Sequence, residues 1–302
     1  ALSRDCPDFV LVLGDWDHRD PSNLKEMRIM HRQTRGDTIS GITFRDYILR
    51  KYPVSHVWDD HDFAGNNCDK TAPPWKKRQA FKAYNEYWPS YGSRPKPNVG
   101  VWHKFTYGNL VEVFMLDLRS QRDVDSYKDS RYIPGKEPNT SRDKIRDDPC
   151  RSMLDGNECP KQKKPSGQKQ WLKDGLLTST AKWKIIGSTV SWNSTLPKDD
   201  AWWDFRAEQK ELLAFIRNNN ITGVIVVSGD IHSAGAIDDG TNAGIPEMSV
   251  PNVNVGGMDG MGTCDLHGPV QHLGCGEWST GFASGGHGYG LITLSLNMAL
   301  IE

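Results

Sequence analysis

The sequence predicts an α/β fold. Short apolar strands alternate with helical stretches from end to end, and three of the strands run straight into acidic or histidine-bearing loops. No solenoid-type repeat and no obvious linker interrupts the alternation. The 302 residues therefore read as a single domain, long enough to bury a large core.

The elements follow in order. Residues 9–13 (FVLVL) form a buried strand that ends at Gly14-Asp15. Residues 23–35 and 43–51 are charged helices, the second stopped by Pro53. Residues 54–58 make a second short strand ending in Asp59-Asp60-His61-Asp62. Residues 75–91 have helical spacing, with aromatics at Phe81, Tyr84, Tyr87 and Trp88. Two strands, 101–107 and 110–117, flank Gly108-Asn109, a hairpin turn signal. From 119 to about 168 the chain is polar and punctuated by Pro and Gly. That is long for a structureless connection, and residues 122–167 read as a solvated insertion, with a substrate lid as the alternative. Helix 168–177, strand 183–190, helix 203–218 and strand 224–227 follow, the last running into Gly229-Asp230-Ile231-His232. A Gly-rich irregular stretch, 248–290, precedes a final strand over 289–296.

Charge and composition narrow the function. Lys+Arg total 37 against 38 Asp+Glu, so the net charge of −1 argues against a polyanion-binding or nucleic-acid role. No apolar run approaches the roughly 18–20 residues of a membrane span. The chain opens without Met and without a basic segment leading into a long apolar one, which reads as a processed or truncated chain. Six cysteines make no CxxC or zinc-finger spacing. Cys150 with Cys159, and Cys264 with Cys275, read as local disulfides, with free buried thiols as the alternative. Sequons at Asn139, Asn193 and Asn220 tilt the reading towards a secreted, oxidised and glycosylated protein.

The chemistry collects at the three strand ends. Strand carboxyl ends line the crevice of an α/β sheet, so Asp15, Asp59, Asp60, Asp230 and His232 converge on one pocket. Carboxylates crowded together repel unless cations neutralise them. Two metal ions about 3.5–4 Å apart, sharing one Asp and a hydroxide, resolve that repulsion and give a nucleophile at neutral pH.

At this point the sequence resembles the PhoD-like branch of the calcineurin-like metallophosphoesterases. The resemblance rests on DFVLVLGDW (8–16), HVWDDHDFAGNN (56–67), LVEVFMLDLRSQR (110–122), GQKQWLKDGLLTSTAKWKIIGSTVSW (167–192), VVSGDIHSA (226–234) and HGYG (287–290). It implies a two-sheet α/β sandwich flanked by helices, and hydrolysis of phosphate monoesters or diesters by a secreted enzyme. It implies two divalent or trivalent metals, Ca and/or Fe, Zn or Mn. Asp15 would bridge them, with Asp60, Asp230 and His232 as further ligands. His61 would protonate the leaving group and Arg119 would clamp the phosphoryl oxygens. The substrate is a small phosphate ester; the oligomeric state stays open.

Two departures stand against this pattern. The family's earlier strand, ending in Cys or Asp-x-His, is missing from this sequence. The Tyr-Arg pair expected after the first motif reads Phe44-Arg45, with Tyr47 one turn on. These departures support an alternative, a catalytically degenerate homologue serving as a structural or binding component of an extracellular assembly. Four residues are assigned to the pocket edge or its support: Asp17, Asp59, Asn66 and His287. Asp17 and His18 read equally as a solvated loop, and His287 as a structural turn. Asn193 stands where relatives place a ligand, but its sequon favours a glycan or a plain loop. The tryptophans are mostly core or helix-packing residues; for Trp192, Trp202 and Trp203 core packing is favoured, with a pocket wall as the alternative.

Overall fold

The computed structural model describes residues 5–37, 41, 43–88, 99–132, 141–156, 167–193, 200–230, 235–250, 281–282 and 288–301. Strands β1 (Val10–Val12) and β2 (Val54–His56) form a parallel pair, Val10 opposite Val54 and Val12 opposite His56. A larger mixed sheet holds β3 (His103–Tyr107), β4 (Val111–Met115), β5 (Trp183–Ser188), β6 (Val224–Ser228), β7 (Ala236–Asp238), β8 (Glu247–Ser249) and β9 (Gly281–Phe282). Its order is β3-β4-β5-β6-β8-β7-β9. Strands β4, β5, β6 and β8 run parallel, while β3 and β7 are antiparallel to their inner neighbours. A separate hairpin joins β10 (Ile292–Leu294) to β11 (Ala299–Ile301).

The central strands are buried on both faces, which explains their near-continuous apolar runs. Along β4 the side chains alternate between two cores. Phe114 and Leu116 meet Leu172 and Leu176 of α5 (Gln168–Thr178) and Leu212 and Ile216 of α6 (Arg206–Asn218). Val111, Val113 and Met115 face the other way, towards β1, β2 and the β10–β11 hairpin, with Trp58, Phe63, Phe81 and Tyr84. The result is a two-layered β sandwich with helices outside.

Local chemistry sets the helix ends. Helix α1 (Leu24–Gly36) starts at Asn23, whose side chain accepts the Glu26 N–H at 3.0 Å, while the Glu26 carboxylate accepts the Ser22 N–H at 2.8 Å. Helix α2 (Asp60–Phe63) is a single turn with a capping box between Asp59 and Asp62. Helix α3 (Pro74–Tyr87) begins on a proline, which the first turn tolerates. Gly108 turns the β3–β4 hairpin with φ +56.

Some expectations need correction. The helix expected over 43–51 is one π-helical turn, Arg45–Leu49. The Arg50 and Lys51 N–H groups turn back to Arg45 and Ile48 as the chain swings into β2. The expected final strand is shorter, and it folds back on β11. Nor are the described ends of the 122–167 stretch a solvated insertion. Arg122, Asp125, Arg151, Ser152, Met153 and Leu154 are buried, and α4 (Arg142–Arg146) lies between them. Charge is tolerated there because it is paired. Asp204 accepts from Ser126 N and Oγ, Arg146 Nε and Arg151 Nη2.

Cys6 and Cys68 are free thiols, and Cys150 is disulfide-bonded. Cys159, Cys264 and Cys275 lie outside the described residues, as does Asn139. Asn193 is only 5% exposed, which overturns its assignment as a glycan acceptor, whereas Asn220 is exposed at the end of α6. Among the described residues no helix is long and apolar enough to cross a membrane.

Candidate metal centre

The carboxyl ends of the parallel strands in both layers meet at one place. Strand β1 delivers Gly14-Asp15, β2 delivers Asp59 to Asp62, and β6 delivers Asp230. Gly14 makes the meeting possible. Its φ is +86, and a Cβ there would sit 2.5 Å from Asp59 Cβ and 2.8 Å from the Trp58 carbonyl carbon. Four non-glycine residues around this point have left-handed backbones: Asp15 (φ 48), Asp20 (φ 49), Asn67 (φ 50) and Asp230 (φ 54). Such conformations persist where the surrounding structure imposes them, and they gather at functional sites.

Carboxylate oxygens of Asp15, Asp59 and Asp60 lie within 4.8 Å of one another. The Asp15 carboxyl is pushed above its ordinary range by burial. A hydrogen bond from His18 opposes the shift, and the charges of Asp60 and Asp230 add to it. Its Oδ1 is buried and has no hydrogen-bond partner. Asp60 behaves oppositely. Burial works against its charge, but the Arg119 guanidinium and the Asn67 N–H outweigh it and hold the carboxyl below its usual range. Asp60 Oδ1 accepts the His61 N–H at 2.8 Å and Oδ2 the Asn67 N–H at 2.6 Å. An orphaned buried carboxylate oxygen facing further carboxylates fits a bound cation, and the donors are hard oxygens suited to one.

A second group adjoins the first. Donor atoms of Asp15, His18 and His61 also lie within 4.8 Å of one another. His18 Nε2 stands 3.4 Å from Asp15 Oδ2, and its pKa is raised chiefly by that contact. The His18 and His61 rings are 4.3 Å apart. Of its two open readings, His18 therefore takes the pocket, and it adds nitrogen donors to an oxygen-rich centre.

Arg119 is not presented to a ligand, contrary to the expected phosphoryl clamp. It is 0% exposed, and its fork is taken. Nε and Nη2 bond Asp59, Nη2 at 2.8 Å from Oδ2, and Nη1 meets both oxygens of Asp200 at 2.7 and 2.8 Å. Nη2 also stands 3.7 Å from Asp230 Oδ2 and 4.0 Å from Asp60 Oδ1. Burial opposes the charge of Arg119, but Asp200 and Asp59 outweigh it and keep the guanidinium protonated. Arg119 is thus a buried counter-charge beneath the carboxylates.

Other expectations resolve individually. Asp17 turns away from the pocket to Arg19 (2.7 Å) and to Thr34 of α1 (3.1 Å). Asn66 is exposed, and the loop support comes from the neighbouring Asn67 backbone. Phe44 packs edge-on against Trp16, and Tyr47 is 39% exposed under Lys51, so neither reaches the centre. Trp192 and Trp202 pack on each other in the helical core. His232 and His287 lie outside the described residues. Sequence reasoning missed Asp62, whose carboxylate accepts the Trp16 and Asp59 N–H groups and so ties two loops together. It also missed Asp200 and Thr189, the latter donating to Asp59 at 2.7 Å. The D-x-x-D capping pattern signals Asp62; nothing local signals the other two.

The sequence profile of the PhoD-like phosphatases matches residues 2–261. The chain belongs to the PhoD-like phosphatase family. It is similar to alkaline phosphatase D of Bacillus subtilis (strain 168), with 28% identity over 268 residues, covering 78% of this chain and 43% of that protein. This PhoD-like chain therefore spans less than half the length of that curated relative. The solved "Structure of PhoD" superposes with a TM-score of 0.71 at 22% identity, covering 100% of this chain and 65% of that one. That likeness identifies the fold as the metallophosphoesterase-like sandwich. PhoD-like phosphatases are metal-dependent hydrolases, and among the described residues the groups that could hold a metal ion gather around Asp15.

Proposed function

We propose that this PhoD-like chain is a secreted metal-dependent hydrolase of small phosphate esters, acting on monoesters or diesters. The observation that carries the reading is the convergence of Asp15, Asp59 and Asp60 around an unpartnered Asp15 Oδ1, in a chain of this family. Asp15, Asp60 and Asp230 would hold the metal ions, with His18 beside them. When bound, the ions supply the positive charge the carboxylates lack and acidify a water for attack on phosphorus. The chain's own groups do the rest. Arg119 neutralises the floor of the site without touching substrate. Asn67 and Asp62 fix the loop that carries Asp60. His61 presents a ring nitrogen from which the leaving oxygen takes a proton. Secretion is supported by the disulfide-bonded Cys150 and the exposed sequon at Asn220.

Two measurements on purified protein test this. One is metal content by mass spectrometry. The other is turnover of p-nitrophenyl phosphate and bis(p-nitrophenyl) phosphate with Ca, Fe, Zn or Mn supplied. The expected result is bound metal and turnover, both lost in Asp15→Asn. Absence of metal and of turnover with every ion would overturn the enzyme reading in favour of a non-catalytic binding component.

A further inference from the structure

We infer that Asp20 is a positioning residue for His61, a role that rests on the phosphoesterase reading above. Asp20 Oδ1 stands 2.7 Å from His61 Nδ1, across 41 residues of sequence. Three features show that the contact is built. The Asp20 backbone is left-handed at φ 49, a conformation that a short polar side chain tolerates but that still costs energy. Its carboxylate packs over Gly65, where φ is +100 and a Cβ would sit 3.4 Å from Asp20 Oδ1. His61 is held from its own main chain as well, since its N–H bonds Asp60 Oδ1 at 2.8 Å. The His61 side chain is only 13% exposed, so its ring has little freedom beyond these contacts.

The consequence is a fixed tautomer. A carboxylate on Nδ1 keeps a proton there and leaves Nε2 as the ring atom available to substrate. The same contact fixes the plane of the ring, as an orienting carboxylate does in other acid–base pairs. In the reaction the ester P–O bond breaks and the leaving oxygen takes the Nε2 proton, giving a neutral alcohol. The new P–O bond comes from water, whose proton passes to solvent. Nε2 then regains a proton from solvent, and Nδ1–H stays on Asp20 throughout.

The test compares Asp20→Asn and Asp20→Glu with wild type on two monoesters. One is p-nitrophenyl phosphate, whose leaving group needs no proton, and the other is glycerol phosphate, whose alkoxide does. Asp20→Asn is expected to lower kcat for glycerol phosphate roughly 10–100-fold more than for p-nitrophenyl phosphate, within the range for one general acid. KM and metal content should stay close to wild type, and Asp20→Glu should recover part of the loss. Equal losses on both esters, or no loss, would overturn the inference while leaving the phosphoesterase reading intact. A second readout needs no turnover. In histidine-labelled protein, with His61→Gln to assign the signal, 15N shifts should show His61 protonated at Nδ1, and Asp20→Asn should abolish that preference. Wild-type His61 protonated only at Nε2 when neutral would overturn the inference even if the protein hydrolysed nothing.

Discussion

Arg119 Nη2 lies 2.8 Å from Asp59 Oδ2, and Nε of the same guanidinium bonds the other Asp59 oxygen. Both side chains are buried, so each replaces water for the other, with the Thr189 hydroxyl as a further donor to Asp59. Breaking such a pair from one end leaves a bare buried charge, which costs about 3–5 kcal/mol. Arg119→Met should therefore lower the stability of the metal-free protein by about that amount in urea unfolding. Arg119→Lys should recover only part of it, because one ammonium cannot grip Asp59 and Asp200 together. A neutral Arg119→Met would show that Asp200 and Asp59 are compensated by something else.

Asp15 carries the opposite sign. Its charge is disfavoured in the fold by burial and by Asp60 and Asp230. Removing that charge relieves the metal-free protein, and Asn tolerates the left-handed backbone at this position. Metal-free Asp15→Asn should be more stable than metal-free wild type by about 1 kcal/mol. With metal added the order should reverse, because only wild type gains binding energy. Thermal melts with and without chelator read both orders.

Gly14 separates geometry from charge. A Cβ at this position meets the backbone of Asp59 and Trp58, which cannot move aside as a flexible side chain can. The left-handed φ of +86 adds roughly 1–2 kcal/mol for any residue with a Cβ. Gly14→Ala should force the two loops apart and lower metal stoichiometry, although no donor atom has been removed. Full stoichiometry in that variant would mean that the loops do not need their close approach.

Much of the site was legible because the signal was local. Gly-Asp after an apolar strand named Asp15 and Asp230, and the DDHD run named Asp59 and Asp60. Strand 224–227 was legible for the same reason, since its unbroken apolar run VIVV is buried along its whole length. The rest depended on partners far along the chain. Arg119 could be placed near the site, but its direction is set by Asp200, 81 residues away. Asp17 adjoins Asp15 in a similar loop, yet its side chain leaves for Thr34 of α1, a choice that adjacency does not encode. The polar stretch after 119 read as solvated because composition does not reveal pairing; Asp204 and Arg151 are charged and buried together.

His56 gives the fold a dependence on acid. Its ring stacks on Trp88 at 3.9 Å and 3°, and both ring nitrogens are buried without a partner. Burial, reinforced by His31, Arg35 and His103, drives its pKa well below the ordinary value. Nearby His31 is driven down to about 3, by burial first and then by Arg35. Both folded values therefore lie below the unfolded value of about 6.5. Below that pH the unfolded chain takes up protons that the fold refuses, so stability present at neutral pH is lost as pH falls. For His31 the loss extends towards its folded value of about 3. Each histidine should cost about 2 kcal/mol by pH 5. Phe at position 56 keeps the stack and has no proton to bind. His56→Phe should therefore show an acid loss smaller by one histidine's share when chelated protein is unfolded in urea at pH 7 and at pH 5. An unchanged difference between the two pH values would place the acid sensitivity elsewhere.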